Sequence, residues 1–216
     1  YSKGRNNSAS SRTMPINKRV RGPRISPKHL ALYQGVAARW AVPIFDVLRF
    51  VSKGSGAENY DQIASLKSTN RASRTYLQLR PDQGEINQLV SKLQDIAKTG
   101  TTLVIVPEAK LISQISSKEY EVGARGSVLS SRSYKNLVVV REESGHHFEL
   151  KSPGFNSRDV ALLRNEYLNE NLIFMGFSPS LEMTRLIDKE SKAISKPKSP
   201  FSCGARQRLW TGHKLR

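Results

Sequence analysis

Asp46 is the first acidic residue of this chain and Glu190 is the last. Between them, 19 bases face 18 acids; outside that window there is no Asp or Glu at all. Residues 1–28 carry eight bases, Lys3, Arg5, Arg12, Lys18, Arg19, Arg21, Arg24 and Lys28. Residues 191–216 carry seven, Lys192, Lys196, Lys198, Arg206, Arg208, Lys214 and Arg216. Segments with so much like charge and so few apolar residues cannot bury enough surface to fold alone. The positive charge therefore divides the chain into a basic arm over 1–28, a globular centre over 29–190 and a second basic arm over 191–216.

The formal net charge of +17 lies almost wholly in those arms, and a polyanion is the partner that fits them. Lysines and arginines neutralise phosphates and release counterions, which makes such binding salt-sensitive. The second arm also interleaves Phe201, Trp210 and His213 with Arg206, Arg208 and Lys214. Rings beside guanidinium groups stack on unpaired bases while phosphates are held alongside, which favours RNA. The residues expected to bind RNA are Arg5, Arg12, Lys18, Arg19, Arg21, Arg24, Lys28, Arg125, Lys196, Lys198, Arg206, Arg208, Trp210, His213, Lys214 and Arg216.

The single cysteine, Cys203, excludes an internal disulfide and a four-cysteine zinc site. No apolar run approaches the roughly 20 residues of a membrane-spanning helix. The first residue is Tyr1, not Met, as removal of an organellar targeting segment or a viral maturation cleavage would leave it.

Within the centre, Ser26-Pro27 reads as an N-cap and first helical residue. Leu30, Tyr33, Val36, Ala37, Trp40, Ile44, Val47, Leu48 and Val51 follow at helical spacing, and Pro43 should split that segment near Trp40. Gly54-Ser55-Gly56 ends it, and a short helix is expected over Glu58–Ser68. Arg74–Arg80 reads as a strand and Glu85–Lys98 as a helix with one apolar face. Thr101–Val106, a continuous β-branched run, suits a strand buried on both faces. These three make a βαβ unit. Ala109–Ser117 reads as a short helix. Asn136–Glu142 and His146–Lys151, flanking Ser144-Gly145, read as a hairpin. Arg158–Asn169 reads as a helix with Val160, Leu163 and Tyr167 inward, and Ser178-Pro179 opens a last helix. The expected fold is α/β or α+β: one compact domain with a βαβ unit and a C-terminal hairpin plus helices.

Three patterns invite a chemical reading. Gly123-Ala124-Arg125-Gly126-Ser127 is a small glycine-rich basic loop whose backbone could approach a phosphate. An ordinary turn explains it as well, and it has neither phosphate-loop spacing. Pro81-Asp82 with Glu108-Ala109-Lys110 resembles, over five positions, the PD…(D/E)xK signature of a nuclease family. There two carboxylates hold Mg²⁺ and the lysine assists the attacking water. Here a helix separates the two halves, and Asp82 also suits the start of that helix as a plain charge. His146-His147 would point to opposite faces of a strand and could not share a metal. Hence no catalytic residue, metal or cofactor is expected.

In charge layout and tail character the chain resembles ribosomal proteins, especially those of organellar ribosomes. That resemblance of architecture implies a non-catalytic structural protein whose arms bind rRNA, with neighbouring proteins of the same assembly as further partners, and a mitochondrial location. Neither a membrane nor a small-molecule substrate is expected. The alternatives are a viral coat or nucleocapsid protein packaging RNA, found in a virion or cytoplasmic ribonucleoprotein, and a Mg-dependent nuclease using Asp82, Glu108 and Lys110.

Overall fold

The computed structural model describes residues 25–54 and 72–190. Both arms up to residue 24 and from residue 191, and the helix expected over Glu58–Ser68, lie outside the described residues. What is described is α/β: a parallel five-stranded sheet with six α-helices.

The first helix, α1 (Pro27–Arg39), opens as its sequence directs. Ser26 Oγ accepts from the His29 amide at 3.2 Å, and Pro27 occupies the first turn. Lys28 thus belongs to a helix, not to the extended arm in which the sequence placed it. The apolar segment breaks at Ala41, whose φ is +50°, and Pro43, so α2 (Ile44–Gly54) is a separate helix. The split expected near Trp40 is what forms.

Five strands follow: β1 (Arg74–Gln78), β2 (Thr102–Val106), β3 (Glu121–Ala124), β4 (Asn136–Val140) and β5 (Asn171–Gly176). Their spatial order is β1-β5-β4-β2-β3, all parallel. The helices between them are α3 (Glu85–Ala97), α4 (Ala109–Ile115) and α5 (Ser157–Leu168), and α6 (Leu181–Glu190) follows the last strand. The βαβ unit is β1-α3-β2, but β5 and β4 lie between its two strands.

Alternation along the strands sends side chains to two cores, as a sheet covered on both faces requires. Leu103, Ile105, Leu137, Val139, Leu172 and Phe174 meet α1, α2, α5 and α6. Val104, Val106, Val138, Val140 and Met175 meet Leu89 and Leu93 of α3 and Leu111 and Ile115 of α4. The result is a helix–sheet–helix sandwich. On α5, Val160, Ala161 and Leu168 are buried and Leu163 packs at the margin; Tyr167, expected inward, is exposed.

The expected hairpin does not form. β4 pairs with β2 on one side and β5 on the other, so no edge remains for a second hairpin strand. His146–Lys151 instead runs through a 3-10 turn, Gly145–His147, that Ser144 caps by accepting from the His146 amide. Among the described residues its one strand-like contact is an isolated antiparallel bridge, Phe148 to Asn156. The sequence reading also missed β3 and β5.

A polar belt closes the amino ends of the strands. Asn136 Nδ2 donates to Thr99 Oγ1 at 2.9 Å, and Asn171 Oδ1 accepts from the Ser73 amide at 3.1 Å. Asn169, left-handed at φ +60° just past α5, accepts from the Ala72 amide at 2.9 Å. Arg164 lies under this belt, fully buried, and binds Glu170 and the carbonyls of Val128, Ser130 and Arg132.

Candidate nucleic-acid interface

Of the sixteen residues expected to bind RNA, two fall among the described residues, Lys28 and Arg125. Arg5, Arg12, Lys18, Arg19, Arg21, Arg24, Lys196, Lys198, Arg206, Arg208, Trp210, His213, Lys214 and Arg216 lie outside them. Lys28 is exposed in the first turn of α1, with its charge available to solvent.

Arg125 is committed to the fold. Its Nε donates to Glu149 Oε2 at 3.0 Å, and the pair is largely shielded on the glutamate side. The glycines beside it serve packing. Gly123 is inside β3, and a Cβ there would run into the Ser127 side chain. Gly126 lies against the Phe50 ring, where a Cβ would stand 3.2 Å from Cζ. The glycine-rich loop is thus a strand end folding back tightly into the 3-10 turn Arg125–Leu129.

The nuclease-like residues sit at the carboxyl end of the sheet. Both carboxylate oxygens of Asp82 are taken by Arg80, at 3.1 and 2.8 Å, and that hydrogen bond holds its carboxyl below the usual range. Glu108 is the residue before α4, and Lys110 is exposed in its first turn. Among the described residues no three His, Cys, Asp or Glu side chains gather as a metal-binding group.

The two neighbouring histidines separate as expected, though by a different route. His146 is exposed, whereas His147 is buried. Its Nε2 lies 2.9 Å from the Val140 carbonyl and its Nδ1 lies 2.6 Å from Ser157 Oγ. Burial holds its pKa below the ordinary value. Ser157 is itself fully buried, so the contact braces the turn and offers no accessible nucleophile. Trp40 and Phe50 both pack edge-on against Phe155, which makes them core partners and not a stacking platform.

The carboxyl ends of β2 and β4 form the point at which the chain's connections diverge. The link from β2 leads outward to β3, and the link from β4 leads the other way to β5. Parallel α/β sheets open a crevice at such a point. Here it is crowded with carboxylates. Arg141, with φ +51°, donates through Nε to Glu85 Oε1 at 2.7 Å, and its second contact reaches Glu85 Oε2. That bond raises the arginine's pKa further, with Glu108 and Glu143 adding to it. Glu143 is held above the usual carboxylate range by burial and by neighbouring Glu142. Glu142, fully buried, accepts from the Ser180 amide and hydroxyl and faces Arg158 at 3.5 Å. The crevice is thus occupied by its own ion pairs and is unsuited to a phosphate. Sequence reasoning had no signal for this arrangement, because Glu85 and Arg141 are 56 residues apart.

No helix among the described residues is long and apolar enough to cross a membrane. No protein-family model matches the chain, and no curated protein matches it either.

Proposed function

We propose that this chain is a structural, non-catalytic RNA-binding protein of a large ribonucleoprotein assembly. The folded centre positions it and the arms hold the RNA. One observation carries the reading: the division of charge between the described fold and the rest of the chain. The described residues hold 19 bases and 16 acids, while all others hold 16 bases and two acids. Inside the fold the two signs nearly balance, and the arginines at the sheet's carboxyl end and in its core are paired with carboxylates, as at Arg80, Arg125, Arg141 and Arg164. Most of the net positive charge is therefore carried by the arms, whose sequences hold no acid to balance it and many bases to neutralise phosphates.

Of the assemblies with this layout, a ribosome fits best, with rRNA as the ligand and the mitochondrion as the compartment. Its support is the resemblance of the charge layout and tails to ribosomal proteins of organelles.

The test is the salt dependence of RNA affinity in the full chain. If about eight phosphates are contacted, log K should fall against log salt with a slope near −6, using the single-strand coefficient. Removing residues 1–24 and 196–216 should flatten the slope while the urea unfolding midpoint of the centre holds. Unchanged RNA affinity after both deletions sinks the proposal.

A further inference from the structure

The two arms join the folded domain at the same end of the sheet. At one side, α1 begins beside the amino ends of the strands. Its His29 Nε2 lies 3.3 Å from the carbonyl of Arg132, just ahead of β4. At the other side, α6 starts at the carboxyl ends, where Ser180 is tied to Glu142. Arg185 and Leu186 of α6 then line a groove along α5 that reaches Arg74 and Glu166. Those two pair at 3.2 Å beside the start of β1. The helix, about 15 Å long for its ten residues, thus returns toward the amino ends. The described chain therefore starts, at residue 25, and stops, at residue 190, on the same side.

The two ends of the sheet also differ in charge. Lys28, Lys118 and Lys135 are exposed at the amino end, and among the described residues none of them forms an ion pair. Lys98 and Arg132 stand near them, paired with Asp95 and Glu121. The carboxyl end is the acidic crevice of Glu85, Glu108, Glu142 and Glu143 around Arg141. A polyphosphate approaching that end meets carboxylates; approaching the other, it meets three exposed ammonium groups, with the Glu119 carboxylate beside one of them, on the side where the described chain begins and ends.

We propose that the amino ends of the strands are the RNA-facing side of the folded domain, with Lys28, Lys118 and Lys135 as its phosphate contacts. The carboxyl ends are turned away from the RNA. This rests on the RNA-binding reading above and adds to it a face and an orientation.

Two full-length variants of equal charge change test it. One carries Lys28→Glu, Lys118→Glu and Lys135→Glu at the amino end. The other carries Arg49→Glu, Lys110→Glu and Lys151→Glu, exposed bases outside the proposed set that also lack ion pairs among the described residues. Binding of a labelled RNA hairpin with single-stranded flanks is measured over a range of salt. Urea unfolding verifies that both variants fold. The first variant is expected to lose at least about tenfold in affinity and to flatten the salt slope by about 2, as three lost phosphate contacts require. The second should lose less than about threefold and keep its slope. Equal losses in the two variants overturn the assignment of the face while leaving RNA binding intact. A wild-type chain with no salt-dependent RNA binding would instead remove the reading on which this rests.

Discussion

Arg164 Nη2 donates to Glu170 Oε1 at 2.7 Å, and neither side chain reaches solvent. The two residues lie on either side of the left-handed turn at Asn169, one in α5 and one just ahead of β5. The pair joins a helix end to a strand start, and the arginine also gathers three carbonyls from residues 128–132. The Glu170 carboxylate accepts from the Tyr134 amide at 2.8 Å as well. Every polar group in this knot has a partner, which is the condition under which a buried ion pair is tolerable.

Removing one partner should therefore be costly. Arg164→Met leaves the Glu170 charge buried and strands three carbonyls. A loss of about 3–5 kcal/mol is expected from urea denaturation. Adding Glu170→Gln removes the stranded charge while its amide oxygen can still accept from Tyr134. The double variant should be less destabilised than the two single losses combined. Full additivity would show that the two side chains do not act as a unit.

Gly123→Ala is expected to destabilise by about 1–3 kcal/mol, because the new methyl meets Ser127 where the chain doubles back. Ser127→Gly on the same background should recover part of that loss. A Gly123→Ala variant as stable as wild type would show that the strand end can open without cost.

Stability should also fall on mild acidification. His29 and His147 are both held below the ordinary value of 6.5, first by burial; for His29 the nearby Arg164 charge acts in the same direction. The unfolded chain then takes up protons more readily than the folded one. The folded state keeps its full margin above about pH 6.5 and loses it as pH drops below that value. Each histidine contributes at most about 1.4 kcal/mol per pH unit in that window. Comparing urea midpoints at pH 7.5 and 5.5 checks this. His147→Gln, which keeps a polar side chain at the site, should lower stability at both values but reduce the difference between them.

Trp210→Ala should weaken binding to unpaired RNA by about 1–3 kcal/mol, the usual contribution of one stacked base, with the salt slope unchanged. A change in slope with no change in affinity at low salt would show that the ring does not stack.

The parts legible in the sequence were those decided locally. Ser26-Pro27 starts a helix, Pro43 splits one, and the β-branched run ending at Val106 is a buried strand, because caps, proline and hydrophobicity act within a few residues. The hairpin failed for the opposite reason. Ser144-Gly145 looks like a turn between two strands, but both sides of β4 are filled by strands distant in sequence. β3 was unreadable because Glu-Val-Gly-Ala has little strand preference of its own; parallel pairing with β2 makes it one. β5 is a short apolar run only two residues past a helix, and periodicity cannot separate those two states. At the candidate interface, the arms stood out because their charge has no local counter-charge. Arg125 looked equally available, and only folding brings Glu149 to it.

If the arms bind RNA as proposed, a shared side of departure would also set how tightly they hold. With one arm seated on an RNA, the other would be confined to a volume set by the width of a single small domain. Its effective concentration near the same RNA would be on the order of millimolar, and the second engagement nearly intramolecular. Release would then require both arms to let go before either rebinds. Two individually weak electrostatic contacts would become one long-lived attachment through the geometry of the domain alone.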